Sequence, residues 1–138
     1  MGGQSPFAYA REGADILFAF LESDSDADET TRLIRGADRK AIAVKGDVGD
    51  EAFCLQLVER AVAELSGLDI LVSNAAYQQT HKGIEDIPSE EIERVFRTNI
   101  LAMFWLCKTA APHLRPGGVI VNMASTGAYS PKPSQLHY

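Results

Sequence analysis

The chain has 138 residues, 46% of them apolar and 23% charged, with a formal net charge of −6. That length fits one domain with a real hydrophobic core. The acidic balance argues against nucleic acid or an anionic membrane surface as partner, since both select basic patches. No apolar run approaches the roughly 20 residues of a membrane span. No signal-peptide pattern opens the chain, and Pro6 stands where an N-myristoylation motif requires Ser or Thr. Cys54 and Cys107 lie far apart, with no further sulfur or histidine at ligand spacing. They predict reduced core cysteines, a cytoplasmic protein and no metal.

In chain order, residues 6–13 read as the last turns of a helix stopped by Gly13. Residues 15–21 form a continuous apolar run, a buried strand, followed by the acids Glu22, Asp24, Asp26, Asp28 and Glu29. Acids suit the positive end of a helix dipole, so this loop leads into a helix over about 27–35. A short strand over 41–45 ends at Gly46-Asp47-Val48-Gly49-Asp50, with Asp50 as the N-cap of the next helix. In that helix Phe53, Leu57, Ala61 and Leu65 recur every four residues, broadened by Leu55, Val58 and Val62, until Gly67 ends it. Residues 69–73 (Asp-Ile-Leu-Val-Ser) are a buried parallel strand opening into the small residues Asn74-Ala75-Ala76. After an irregular stretch, Ser89 starts a long helix to about His113, with Ile92, Phe96, Ile100, Met103, Phe104 and Leu106 at buried-face spacing. Pro116-Gly117-Gly118 separate it from a fourth strand, 119–121, and a Gly/Ser/Pro-rich loop runs on to Tyr138.

Strands alternating with helices predict parallel strands joined by right-handed crossovers, hence a doubly wound α/β sheet in one domain over 1–138. Such sheets bind ligands at the carboxyl ends of their strands. Those ends here carry Glu22, Asp47-Val48, Asn74-Ala75-Ala76 and Asn122–Ser125. Five stretches occur in order: Tyr9–Ile16, Gly46-Asp47-Val48, Leu71–Ala76, Thr98-Asn99-Ile100 and Val119–Ser125. Together they closely resemble the short-chain dehydrogenase/reductase family, NAD(P)-dependent oxidoreductases with a Rossmann fold.

The resemblance implies roles residue by residue. Asp47 and the Val48 backbone would contact adenine; the plainer reading of Asp47 is a loop cap. Asn74, Ala75 and Ala76 match the family's Asn-Asn-Ala-Gly loop beside the cofactor ribose, with Ser73 and Ala76 as departures from it. Asn99 matches the helix Asn that holds a proton-relay water; its plainer reading is a polar residue satisfied within the helix. Ser125 matches the serine that bonds the substrate oxygen. Tyr138, 13 residues on, matches the general acid/base that exchanges a proton with that oxygen as hydride moves to or from nicotinamide. Tyr129 is the competitor and reads as pocket-lining. His81, His113 and His137 match no role and read as surface or loop residues. The resemblance also implies a small alcohol or carbonyl compound as substrate and a homo-oligomer interface that the long helix would help form. No Arg greets a 2′-phosphate after the strand at 15–21 and Glu22 would repel one, which favours NAD over NADP.

Measured against the family pattern, the first strand and its Thr-Gly-x-x-x-Gly-x-Gly phosphate loop are not among these residues. Met1–Pro6 reads as a remnant of that loop, and the later strands and helices, with the lysine four residues past the tyrosine, fall beyond Tyr138. A free tyrosine has a pKa of about 10, and without a cation to lower it the expectation is little activity for this chain alone. In the family order 3-2-1-4-5 the first strand lies between the strands at 15–21 and 69–73. Its absence leaves a gap of roughly 9–10 Å, two strand spacings. Direct pairing, a partner chain or marginal stability is expected. A different class of function is therefore also open, a non-catalytic partner-binding module. A flavodoxin-like or receiver-type domain fits the alternation but not the Ser125–Tyr138 pair.

Overall fold

The computed structural model describes residues 4–130, 132–135 and 137–138. Residues 1–3, which open the segment read as a remnant phosphate loop, lie outside the described residues. Helix α1 (Gln4–Arg11) ends as expected, and the chain reverses through Gly13, whose φ of +97° suits glycine. Asp15 then fixes the start of β1 (Ile16–Phe20). Its carboxylate accepts the Lys40 N–H at 2.9 Å and lies 2.8 Å from the Arg39 guanidinium. That contact aligns β1 with β2 (Ala41–Lys45) in parallel, Ile16 opposite Ala41 and Phe20 opposite Lys45.

Helix α2 (Asp24–Gly36) begins inside the acidic stretch rather than after it, because Ser23 caps it. Ser23 Oγ accepts the Asp26 N–H at 3.3 Å, and Asp24 and Asp26 sit in the positively polarised first turn. The Asp50 cap of α3 (Glu51–Glu64) forms as expected, its Oδ1 accepting the Ala52 N–H at 2.9 Å. The buried residues of α3 are Cys54, Val58 and Ala61. Phe53 turns its ring onto Gly46 instead, leaving no room there for a Cβ.

β3 (Leu68–Ser73) pairs in parallel with β4 (Leu114–Asn122), from Ile70 opposite Val119 to Ser73 opposite Asn122. The fourth strand is therefore longer than 119–121. It includes Pro116-Gly117-Gly118 because the register shifts between Leu68 and Ile70. The long helix runs as α4 (Ser89–Phe96), a π-helical turn at Arg97–Leu101, and α5 (Ala102–Ala110). One expectation fails in part here, holding for Leu106 but not for four of the large side chains before it. Ile92, Phe96, Ile100 and Phe104 are exposed, and the buried face is Val95, Ala102, Leu106 and Ala110. Ala102 and Ala110 allow the close approach to Cys54, Val58 and Leu68 that forms one core, so the large side chains one row round the helix face outward.

The strands form two separate parallel pairs, β1-β2 and β3-β4. This is an incomplete Rossmann-like, doubly wound α/β fold. The expected direct pairing of β1 with β3 does not occur. A cleft of about 1240 Å³ separates them, lined by Ile16–Phe20 on one side and Leu68–Ser73 on the other. Each pair is anchored to its own core, Ala10, Ile34 and Ala41 in one half and the α3–α5 cluster in the other. Among the described residues no helix is long and apolar enough to cross a membrane.

The core environment has a chemical consequence at Cys54. Burial, reinforced by the charges of Asp50, Asp47 and Glu51, pushes its thiol up to about 11, and Sγ donates to the Val48 carbonyl at 3.1 Å. At pH 8 only about one Cys54 in a thousand would be thiolate even if reagent could reach it. Iodoacetamide at pH 8 is therefore expected to modify the partly exposed Cys107 and spare Cys54 until the chain unfolds. Peptide mapping that finds equal labelling of the two would contradict this packing.

Candidate functional site

Two small groups of residues gather at the carboxyl ends of the strands. The first lines a hollow of about 190 Å³ formed by Phe20 and Leu21 after β1, Gly46, Asp47 and Val48 after β2, and Ala75, Ala76 and Tyr77 after β3. Four of the five residues expected to hold a dinucleotide, Asp47, Val48, Ala75 and Ala76, thus share one surface. Asn74, the fifth, lines the large cleft with Ala75. Ala75 and Ala76 carry small side chains here, so a flat ligand can reach their backbone. Asp47 also keeps its plainer role, since its Oδ1 accepts the Gly49 N–H at 2.8 Å and holds the turn.

Asn99 connects this wall to the long helix. Its Oδ1 accepts the Tyr77 N–H at 2.7 Å, and its Nδ2 donates to the Tyr77 carbonyl at 2.9 Å. The carboxamide therefore completes the backbone pairing of a residue that no strand satisfies. One Nδ2 hydrogen and one Oδ1 lone pair remain for a water, beside the helix backbone. The π-helical turn that carries Asn99 is where such backbone groups depart from regular pairing.

Ser125 and Tyr138 form the second group. Ser125 Oγ accepts the Gly127 N–H at 3.0 Å, capping a short 3₁₀ turn. Its own O–H and a remaining lone pair stay available to a ligand. A Cβ placed on Gly127 would lie 3.2 Å from Ser125 Oγ and 4.0 Å from Tyr138 Cδ1. Gly127 thus sits between the two side chains and lets them approach. Tyr138 is held from behind by its N–H bond to the Gln135 carbonyl at 3.2 Å. Tyr129, expected to line a pocket, is 94% exposed. Among the described residues neither cleft includes Ser125 or Tyr138, but Met123, two residues before Ser125, lines the large one.

Sequence reasoning missed three features here. Arg94 stacks its guanidinium 4.2 Å over the Tyr77 ring and, with Thr98, lines the small hollow. Lys45, opposite Phe20 in the β1–β2 register, is a cation at the strand ends, 2.6 Å from Asp24. His81 and His137 lie outside helices and strands, as expected, but are drawn together against Glu91 with only 19% and 3% of their side chains exposed, so neither is a surface residue. His113 is exposed, as expected. Arg94 and Lys45 carry no spacing signal, and the histidine pair depends on a loop path no local pattern encodes.

The chain was compared with known proteins against this geometry. The family model described as short chain dehydrogenase matches residues 1–138. General stress protein 39 of Bacillus subtilis is 43% identical over 131 residues, covering 95% of this chain and 46% of that protein. Glucose and ribitol dehydrogenase of Daucus carota is 38% identical over 138 residues, covering 96% of this chain and 47% of that one. The structure of a short chain dehydrogenase from Burkholderia cenocepacia in complex with NADP superimposes with a TM-score of 0.90 at 28% identity. It covers 98% of this chain and 56% of that chain. The chain spans about half the length of the curated relatives it matches.

Removal of the Asn99 carboxamide isolates its contribution. Asn99→Ala is expected to destabilise the fold by about 1–3 kcal/mol, because it strands a partly buried backbone donor and acceptor. Amide exchange at Tyr77 should accelerate in parallel; unchanged exchange would show that the loop is held by something else.

Proposed function

The chain belongs to the short-chain dehydrogenase/reductase family, and on that premise we propose that it works in NAD(P)-dependent oxidoreduction of a small alcohol or carbonyl substrate. In this reading residues 1–138 are one partial dinucleotide-binding domain of a cytoplasmic protein. The observation that carries it is the approach of Ser125 and Tyr138 across Gly127, at the end of the strand next to the Asn74–Ala76 loop.

A bound nicotinamide cofactor would supply or accept the hydride. The chain's own residues do the rest. Ser125 Oγ–H donates to the substrate oxygen and orients it. Tyr138 holds the proton that oxygen gains in reduction, or takes it in oxidation. Asp47 and Val48 would face adenine, while Ala75 and Ala76 leave room for the ribose, with Asn74 at the mouth of the larger cleft. Asn99 acts one step back, by fixing the Tyr77 backbone and hence that loop. The open cleft along β3 supports weak turnover by the 138-residue chain alone.

For cofactor choice, Glu22 supports NAD, and Asp24 already neutralises the nearby cation Lys45. The Burkholderia cenocepacia relative in complex with NADP supports the opposite preference. A second reading, partner binding, is favoured by the exposed row Ile92, Phe96, Ile100 and Phe104 and by the unpaired edges facing the cleft. The row fits a second copy of the chain, as in a homo-oligomer.

Titration with NADH and NADPH, followed by cofactor fluorescence, is expected to show saturable binding that Ala76→Trp weakens. No binding of either at millimolar concentration would favour the partner-binding module. Cofactor-dependent carbonyl reduction should fall at least about 100-fold in Tyr138→Phe, the lower end of what general acid–base catalysis contributes. Tyr129→Phe should leave it unchanged, and the reverse result would reassign the acid. For the helix surface, Phe104→Glu should weaken self-association by at least about tenfold, as for a buried aromatic anchor. Light scattering that finds the unsubstituted chain monomeric would refute that interface.

A further inference from the structure

We propose that His81, Glu91 and His137 form a binding site for one divalent transition-metal ion of the zinc class. The three residues come from separate segments: the loop after β3, the first turn of α4, and the position beside Tyr138. Their ligand atoms all lie within 4.8 Å of one another. Glu91 Oε1 is 2.7 Å from His81 Nε2 and 2.8 Å from His137 Nε2.

Hydrogen bonding accounts for only part of this arrangement. The His81–Glu91 contact has hydrogen-bond geometry. The His137–Glu91 contact is as close but misaligned, so among the described residues neither ring nitrogen of His137 has a hydrogen-bond partner, although its side chain is 97% buried. Buried polar atoms in folded proteins nearly always have partners, and an unpartnered buried imidazole beside a carboxylate and a second imidazole has the chemistry of a metal ligand. The two rings meet edge to face, at 61° with centroids 5.4 Å apart. That angle keeps the rings from stacking face to face.

The donor set selects the ion. Two imidazoles and one carboxylate suit zinc, with a fourth position open to water. Calcium and magnesium prefer oxygen ligands throughout, and the absence of thiolate at the cluster disfavours copper(I). The scaffold is already drawn tight, since the His81 N–H donates to the Ser134 carbonyl at 2.9 Å. An ion here would staple the segment carrying Tyr138 to α4 and to the loop after β3, making these three residues positioning groups for Tyr138. The site stands on its own geometry and does not rest on the oxidoreductase reading.

The test is titration of the 138-residue chain with Co²⁺, read by its visible ligand-field absorption and by displacement with Zn²⁺. One ion per chain should bind. His81→Ala and His137→Ala should each weaken it by at least about tenfold, the lower end of what even an outer-shell loss costs a metal site. His113→Ala should not. Imidazole NMR spectra of the unsubstituted chain keep the test valid if a variant fails to fold. With Zn²⁺ the ring signals of His81 and His137 should shift together while those of His113 stay in place. No ion uptake, uptake indifferent to both substitutions, or shifts confined to His113 would overturn the proposal.

Discussion

Both ends of the Asn99 carboxamide are bonded to the backbone of one residue, Tyr77, and the shape of the candidate site depends on that pair of bonds. The chain leaving β3 has no strand partner beyond Ser73, where the Met123 N–H bonds the Ser73 carbonyl. Without Asn99, among the described residues only the stacked Arg94 would tie the loop to the helix at Tyr77. With it, Ala75 and Ala76 are held opposite Asp47 and Val48, and the hollow between them has a fixed floor. The bond is local, but it links β3, the loop and the α4–α5 helix into one unit.

The second constraint is the parallel register of β3 and β4. Setting Ser73 opposite Asn122 brings the Asn74–Ala76 loop beside the turn that leads to Ser125. The Asn74–Ala76 loop and the turn that carries Ser125 therefore share one end of the β3–β4 pair although they lie far apart in sequence. The register also explains Asn99's importance, because everything on this edge hangs from two strands and one helix. The other strand pair contributes Phe20, Leu21, Asp47 and Val48 across an open cleft. Its edge, like that of β3, presents backbone groups without strand partners.

Most of the fold was legible in the sequence because its signals are local. Ile16–Phe20, Ala41–Lys45 and Leu68–Ser73 are short apolar runs, and Asp50 and Gly13 are strong punctuation. The extent of β4 was not legible, since Pro116-Gly117-Gly118 reads as a loop and only pairing with β3 draws it into the strand. The buried face of the long helix was misread for a related reason. Periodicity finds an apolar row but cannot tell a core from a surface that meets another chain, and here Ala102 and Ala110, not Phe96 and Phe104, face inward. For the candidate site, family motifs pointed to Asp47, Asn74, Asn99, Ser125 and Tyr138. The double bond of Asn99 to Tyr77 and the convergence of His81, Glu91 and His137 arise from loop paths, which no spacing rule reports.

The central claim is that the strand ends around Asp47, Val48, Ala75 and Ala76 form a dinucleotide surface. Backbone amide shift mapping during addition of NADH tests it most directly. The account predicts saturable shifts at those four residues and at Tyr77, with the far ends of the strands near Ile16 and Leu68 unmoved. Shifts confined to the exposed row of the α4–α5 helix, or none in a folded chain, would contradict it.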